Sequence, residues 1–348
     1  MEAAALIHST TPANAEKALR EELTHLGLEW RVFKDYMPDW VDTAFDSRAG
    51  VLQLKTFLSR NVGLDIADNG QLIGCELPVA RFKTTRGTTH DQVIAARCVA
   101  TACARLVGKM TLSPWMGMPN DPAEFRRMVL AASENGWPDL SSMLTVLWSL
   151  GIPVLYMPSL PASGRKMEGM ACFVSGRPVI VLTKKVPHPD WLLFLLGHEA
   201  GHIAEGHLPM AEGEAIVDDT VDYTDDENDG GDQQEREANR YSTRTLGEGG
   251  QEVHFKKLMR ADLLAGVALT YARQKSMNPG YVVLNAVHNS PIDGKKPYGL
   301  GQAALKALPD FQHGRTTDEI CKDALNAHVD PEFLRDDSLE FLEKLGVL

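Results

Sequence analysis

The chain has 348 residues, 44% apolar and 24% charged, which is ordinary globular composition with length for a buried core and more than one domain. Acidic residues outnumber basic ones 47 to 35, for a formal charge of −12, so nucleic-acid binding through the bulk field is not expected. The N-terminus MEAAALIHST lacks a basic region followed by a long apolar run, and no stretch approaches the roughly 20 apolar residues of a membrane span, so a cytoplasmic chain with no membrane attachment is expected.

Residues 13–27, NAEKALREELTHLGL, carry apolar residues at helical spacing and end near a glycine. Residues 49–70 read as a short helix, a turn and a second short helix. That order raises the idea of DNA binding, but the segment is only mildly basic and lacks a recognition face, so two packed helices are the preferred reading. THDQVIAARCVATACARLVGK reads as a longer helix capped by Thr89 or Asp91. Residues 1–115 are thus expected to be a mainly helical region. SPWMGMPNDP, residues 113–122, is the best linker.

Two helices are predicted next, in PAEFRRMVLAASENG and DLSSMLTVLWSLG. The period then changes: IPVLYM is a strand, and MACFVSGRPVIVLT is a strand, a Ser-Gly-Arg turn and a second strand. Helix returns at WLLFLLGHEAGHIAEGH, residues 191–207, with Asp190 as its expected cap. Residues 211–232 read as an acidic loop, QQEREANRYSTRTL as a helix, and 251–348 as mainly helical. The five cysteines, Cys75, Cys98, Cys103, Cys172 and Cys321, are odd in number and form no CxxC, which fits small apolar side chains in a reduced interior.

The chemistry concentrates in residues 191–207. Trp191, Leu195, His198 and His202 fall on one helical face. At about 100° per residue the two histidines lie about 40° apart, one turn from each other. Both imidazoles then reach one ion at about 2.1 Å, the zinc–nitrogen distance. Glu199 sits on the adjacent flank, where it reaches a water rather than the ion; this is the HExxH arrangement of zinc hydrolases. A zinc site needs a third protein ligand. His207 is close in sequence, but on a continuing helix it points about 140° from His202. The following helix offers Glu235 on a stripe with Ala238, Asn239 and Ser242, whose small members allow close approach. Asn239 stands one turn on, where it holds a ligand in place. Glu237 points about 160° off Asn239 and is the weaker choice.

HEAGH followed by EREANRYS resembles the ImmA/IrrE family of zinc metallopeptidases, and the strand pair before the HExxH helix matches that layout. The resemblance covers about residues 120–250. It implies an α+β fold: a zincin-like core over 116–250, a small sheet packed on the HExxH helix, flanked by helical regions at 1–115 and 251–348. By position, His198, His202 and Glu235 would bind Zn2+, Glu199 would be the catalytic base, and Asn239 would support a ligand. Tyr241, where Phe is usual, is one candidate oxyanion donor beside Tyr156, Tyr223, His207 and His254. The implied substrate is a protein, typically a helix–turn–helix repressor or antitoxin of a toxin–antitoxin or phage system. A zinc-stabilised module that binds a transcription factor without cutting it is the alternative. The long acidic segment lacks a glutamate at the last position of a calcium loop, which is Arg236, and reads as a solvated flap. A strand at 170–174 or 178–182 is expected to offer an edge to an extended peptide.

Overall fold

The computed structural model describes residues 12–74, 81–83, 91–160, 167–218, 233–255, 257 and 259–348. Helix α1 spans Pro12–His25, a short α2 spans Trp30–Phe33 and α3 spans Arg48–Val62. Ser47 caps α3, its hydroxyl accepting from the Gly50 N–H, and Gly63 stops it in the left-handed region that glycine adopts without strain. The second helix expected before residue 70 is absent. Strands β1 (Leu64–Ile66) and β2 (Leu72–Gly74) form an antiparallel hairpin there, turning on Gly70 at φ 79°, so no helix–turn–helix exists at 49–70. Strand β3 covers Arg81–Lys83 and α4 Asp91–Met110. Asp91 is therefore inside the helix, and Thr89 lies outside the described residues.

Helices α5 (Pro122–Ala132) and α6 (Leu140–Ser149) fall where the periodicity places them. Asp121 caps the first; Asp139 caps the second through a reciprocal capping box with Ser142. Strand β4 is Val154–Tyr156, β5 is Gly169–Val174 and β6 is Arg177–Leu182. Ser175 and Gly176, both at positive φ, make the two-residue hairpin turn between β5 and β6. Helix α7 runs Pro189–Ala204, β7 is Ala215–Asp218 and α8 is Gln233–Leu246. The rest is helical: α9 (Ala261–Lys275), α10 (Pro279–His288), α11 (Tyr298–Ala307), α12 (Thr317–Asn326) and α13 (Asp336–Lys344).

The chain is α+β, with a five-stranded mixed sheet in the order β3-β7-β5-β6-β4. Two expectations fail here. The segment 211–232 is not all loop, because β7 lies in it and pairs antiparallel with β5. As a result β5 lies between β7 and β6, and β6 between β5 and β4, so neither offers a free edge. An extended peptide cannot join either strand without displacing one of the chain's own. Residues 1–115 also contribute β3, parallel to β7, and α4, which packs on β5 and β6. One buried apolar cluster runs from Leu19 to Val347 through all three segments.

Cys98, Cys103, Cys172 and Cys321 are buried and form no disulfide among the described residues, while Cys75 lies outside them. Burial pushes the thiols of Cys103, Cys172 and Cys321 up to about 12, so they are inert packing groups. No helix among the described residues is long and apolar enough to cross a membrane.

Candidate metal centre

Helix α7 starts on a different cap from the one expected. His188 takes the N-cap, its Nδ1 accepting from the Asp190 N–H at 3.3 Å, and Pro189 occupies the first turn. Asp190 is buried one position inside and accepts from Asn278 Nδ2 at 3.0 Å. From Leu192 to Ala204 every residue is buried, because the sequence gives this helix no solvated face. Its C-terminal half therefore carries His198, Glu199 and His202 into the interior, a costly placement that a cation would offset.

Helix α8 crosses α7 at very short range. A Cβ placed on Gly201 would stand 2.8 Å from the Ala238 carbonyl oxygen and 2.9 Å from its Cα; one on Gly197 would meet the Ser242 hydroxyl at 2.6 Å. Ser242 donates that hydroxyl to the Phe194 carbonyl at 3.0 Å. The small residues expected on α8 are thus matched by two glycines a turn apart on α7. This contact brings Glu235 to the histidines. We expect Gly201→Ala to force the helices apart at a cost of about 1–3 kcal/mol and to weaken metal binding with it. A thermal melt and a zinc titration check this; an alanine variant with native affinity would refute it.

His198 Nε2 and His202 Nε2 lie 3.1 Å apart, and each stands 3.6 Å from an oxygen of Glu235. All three residues are buried. Ligands around a tetrahedral ion at zinc distances would be separated by about 3.3 Å, so the donor set fits such an ion. The proton positions agree. His198 Nδ1 stands 2.8 Å from Asn239 Oδ1, which can only accept, so the proton is on Nδ1 and the Nε2 lone pair faces the centre. Asn239 thus contacts His198 on the side away from Glu235.

Glu199 is fully buried, and its carboxylate lies against the backbone of Gly169, the first residue of β5. A Cβ at residue 169 would come within 2.0 Å of Glu199 Oε1. Gly169 thus provides the space the carboxylate fills, a contact that sequence spacing does not reveal.

His207 is not among the three grouped donors, and it does not point away either. Helix α7 ends at Ala204, and Gly206 turns left-handed at φ 73°. The His207 N–H returns to the His202 carbonyl at 3.0 Å and the Gly206 N–H to that of Ile203 at 3.2 Å, which is a Schellman stop. The turn folds the His207 ring back, placing its Nδ1 3.0 Å from His202 Nδ1. Its Nε2 meets Glu237 Oε2 at 2.9 Å. Glu237 is thus engaged with His207 and Gln233 rather than with the centre, and those two bonds, Gln233 first, hold its carboxyl below the ordinary glutamate value.

Tyr241, a candidate oxyanion donor, has its hydroxyl engaged elsewhere. Its buried hydroxyl donates to the Pro119 carbonyl at 2.7 Å and its ring packs beside Phe125. Tyr156 lines a separate cleft of about 640 Å³ by His188 and Asp190, at the far end of α7. His254 is exposed and pairs with Glu252. Tyr223 and residues 219–232, which hold most of the acidic segment and of the calcium-loop pattern, lie outside the described residues. Comparison with protein-family models, with curated proteins and with solved structures finds no match to this chain.

Proposed function

We propose that the chain is a zinc-dependent endopeptidase with a zincin-like core, acting on a specific protein substrate. The observation that carries this reading is the buried convergence of His198, His202 and Glu235, with a further buried carboxylate, Glu199, on the adjacent helical flank. Two neutral imidazoles and one carboxylate are the donor set of a catalytic rather than a closed structural zinc site, since three protein ligands leave one position open. Bound zinc supplies Lewis-acid polarisation of the scissile carbonyl and makes a water more acidic.

The residues of the chain divide the remaining work. Glu199, held between α7 and Gly169, takes a proton from the attacking water and returns it to the leaving amine. Asn239 keeps the His198 ring in the tautomer that exposes Nε2. Because β7 and β4 flank the β5–β6 hairpin, this reading does not bind the substrate as a strand added to β5 or β6. The substrate class, a helix–turn–helix repressor or antitoxin, rests on the resemblance of the two motifs to the ImmA/IrrE family.

The test is a cleavage assay with zinc-loaded protein and the helix–turn–helix regulators encoded beside it. One regulator should be cut, the cut should stop on chelation, and zinc should restore it. Zinc-loaded protein that binds a regulator but never cuts it would favour the non-catalytic binding module.

A further inference from the structure

Behind His202, on the side away from Glu235, stands a second histidine, His207. We propose that His207, anchored by Glu237, is a positioning residue that fixes His202 as its Nδ1–H tautomer and keeps its Nε2 lone pair on the metal. The proposal rests on the metal-centre reading above.

An ionised carboxylate only accepts, so the 2.9 Å contact places a proton on His207 Nε2. A neutral His207 then has a bare Nδ1. Two ring nitrogens 3.0 Å apart share one proton, which must therefore sit on His202 Nδ1 and point at His207. His202 is left with its lone pair on Nε2, facing His198 Nε2 and Glu235. The reverse assignment would aim an N–H from His202 at His198 Nε2 and remove a ligand.

The backbone supports the same arrangement. The Schellman stop bonds the His207 N–H to the carbonyl of His202 itself, so one residue is tied to the ligand through both main chain and ring. His207 is 6% exposed, which shields the ring contact from water. Glu237 comes from α8, the helix that also supplies Glu235 and Asn239, so both histidines are oriented from one element. The two supports differ in kind. His198 leans on a neutral amide, whereas His202 leans on a chain that ends in a negative charge and raises its basicity as a ligand.

The test uses the full chain, with zinc affinity measured by competition against a chromophoric chelator. His207→Ala should weaken zinc binding roughly 10- to 100-fold, the usual loss when a supporting partner of a ligand is removed. His207→Asn sets an amide oxygen near the place of Nδ1 and should recover most of that loss. Glu237→Gln still accepts from His207 but without the charge, so its loss should be smaller than that of His207→Ala. Ring-nitrogen NMR of the zinc-loaded protein should show His202 protonated on Nδ1, with the hydrogen-bonded proton lost in His207→Ala and present in His207→Asn.

The proposal is overturned if His207→Ala binds zinc as the wild type does, or if NMR places the metal on His202 Nδ1 or on His207. It is also overturned if His207→Asn restores the melting temperature without restoring affinity, since the role would then be structural. Wild-type protein that takes up no zinc defeats the metal-centre reading itself; zinc-binding wild type with an indifferent His207→Ala defeats only this inference.

Discussion

Zinc supplied at a roughly thousandfold excess over its dissociation constant is expected to raise the melting temperature of the wild-type chain by about 5 °C, and to leave Glu235→Ala unmoved. A ligand that binds only the folded state at that excess stabilises it by about 4 kcal/mol. The unfolding entropy of a chain this long is roughly 0.7 kcal/mol per kelvin, which converts that energy into the stated shift. Glu235 is the ligand to remove because it is the one α8 contributes to the triad, and without it the site is two neutral imidazoles on one helix. Elemental analysis should find about one zinc in the wild type and far less in the variant. A variant that keeps both the zinc and the shift would show that the third ligand is not Glu235. His207 and Glu237 are poor replacements as they stand, being bonded to each other.

What periodicity carries and what it misses can be seen within α7. The pairing of His198 with His202, and the stripe of Glu235, Ala238, Asn239 and Ser242, were legible because helical angles are local: 100° per residue holds wherever the helix does. The same arithmetic failed for His207, since it extended the helix past its end. The stop signal was Gly206, a glycine at the position where a Schellman turn needs one. Residues 64–74 failed similarly. Asn69-Gly70 between Ile66 and Leu72 is a hairpin turn signal, and it outweighs the helical look of the flanking residues. Strand β7 was illegible for a different reason. Its run of AIVD is short and acidic surroundings hide it, and its partners β5 and β3 are far off in sequence, so only tertiary pairing makes it a strand. The contact of Gly169 with Glu199 is likewise a meeting of sheet and helix that no spacing rule encodes.

Glu199→Gln is expected to lower kcat by about 10²- to 10⁴-fold while zinc stays bound, because the amide keeps the shape of the side chain and loses only its capacity to take a proton. Gly169→Ala should reach a similar phenotype by another route. The added methyl would stand 2.0 Å from Glu199 Oε1, so the carboxylate must swing away though its chemistry is untouched. A displacement of about 1 Å at a reacting group can cost on the order of 10²-fold in rate. Zinc affinity should be unchanged, because the three atoms nearest an added Cβ at residue 169 all belong to Glu199 rather than to His198, His202 or Glu235. The double variant decides whether the two act at one point. If Gly169→Ala works only by displacing the base, adding it to Glu199→Gln costs nothing more, since the base is already gone. If the losses multiply instead, Gly169 acts on the substrate or on the sheet, and Glu199 is not the group it serves.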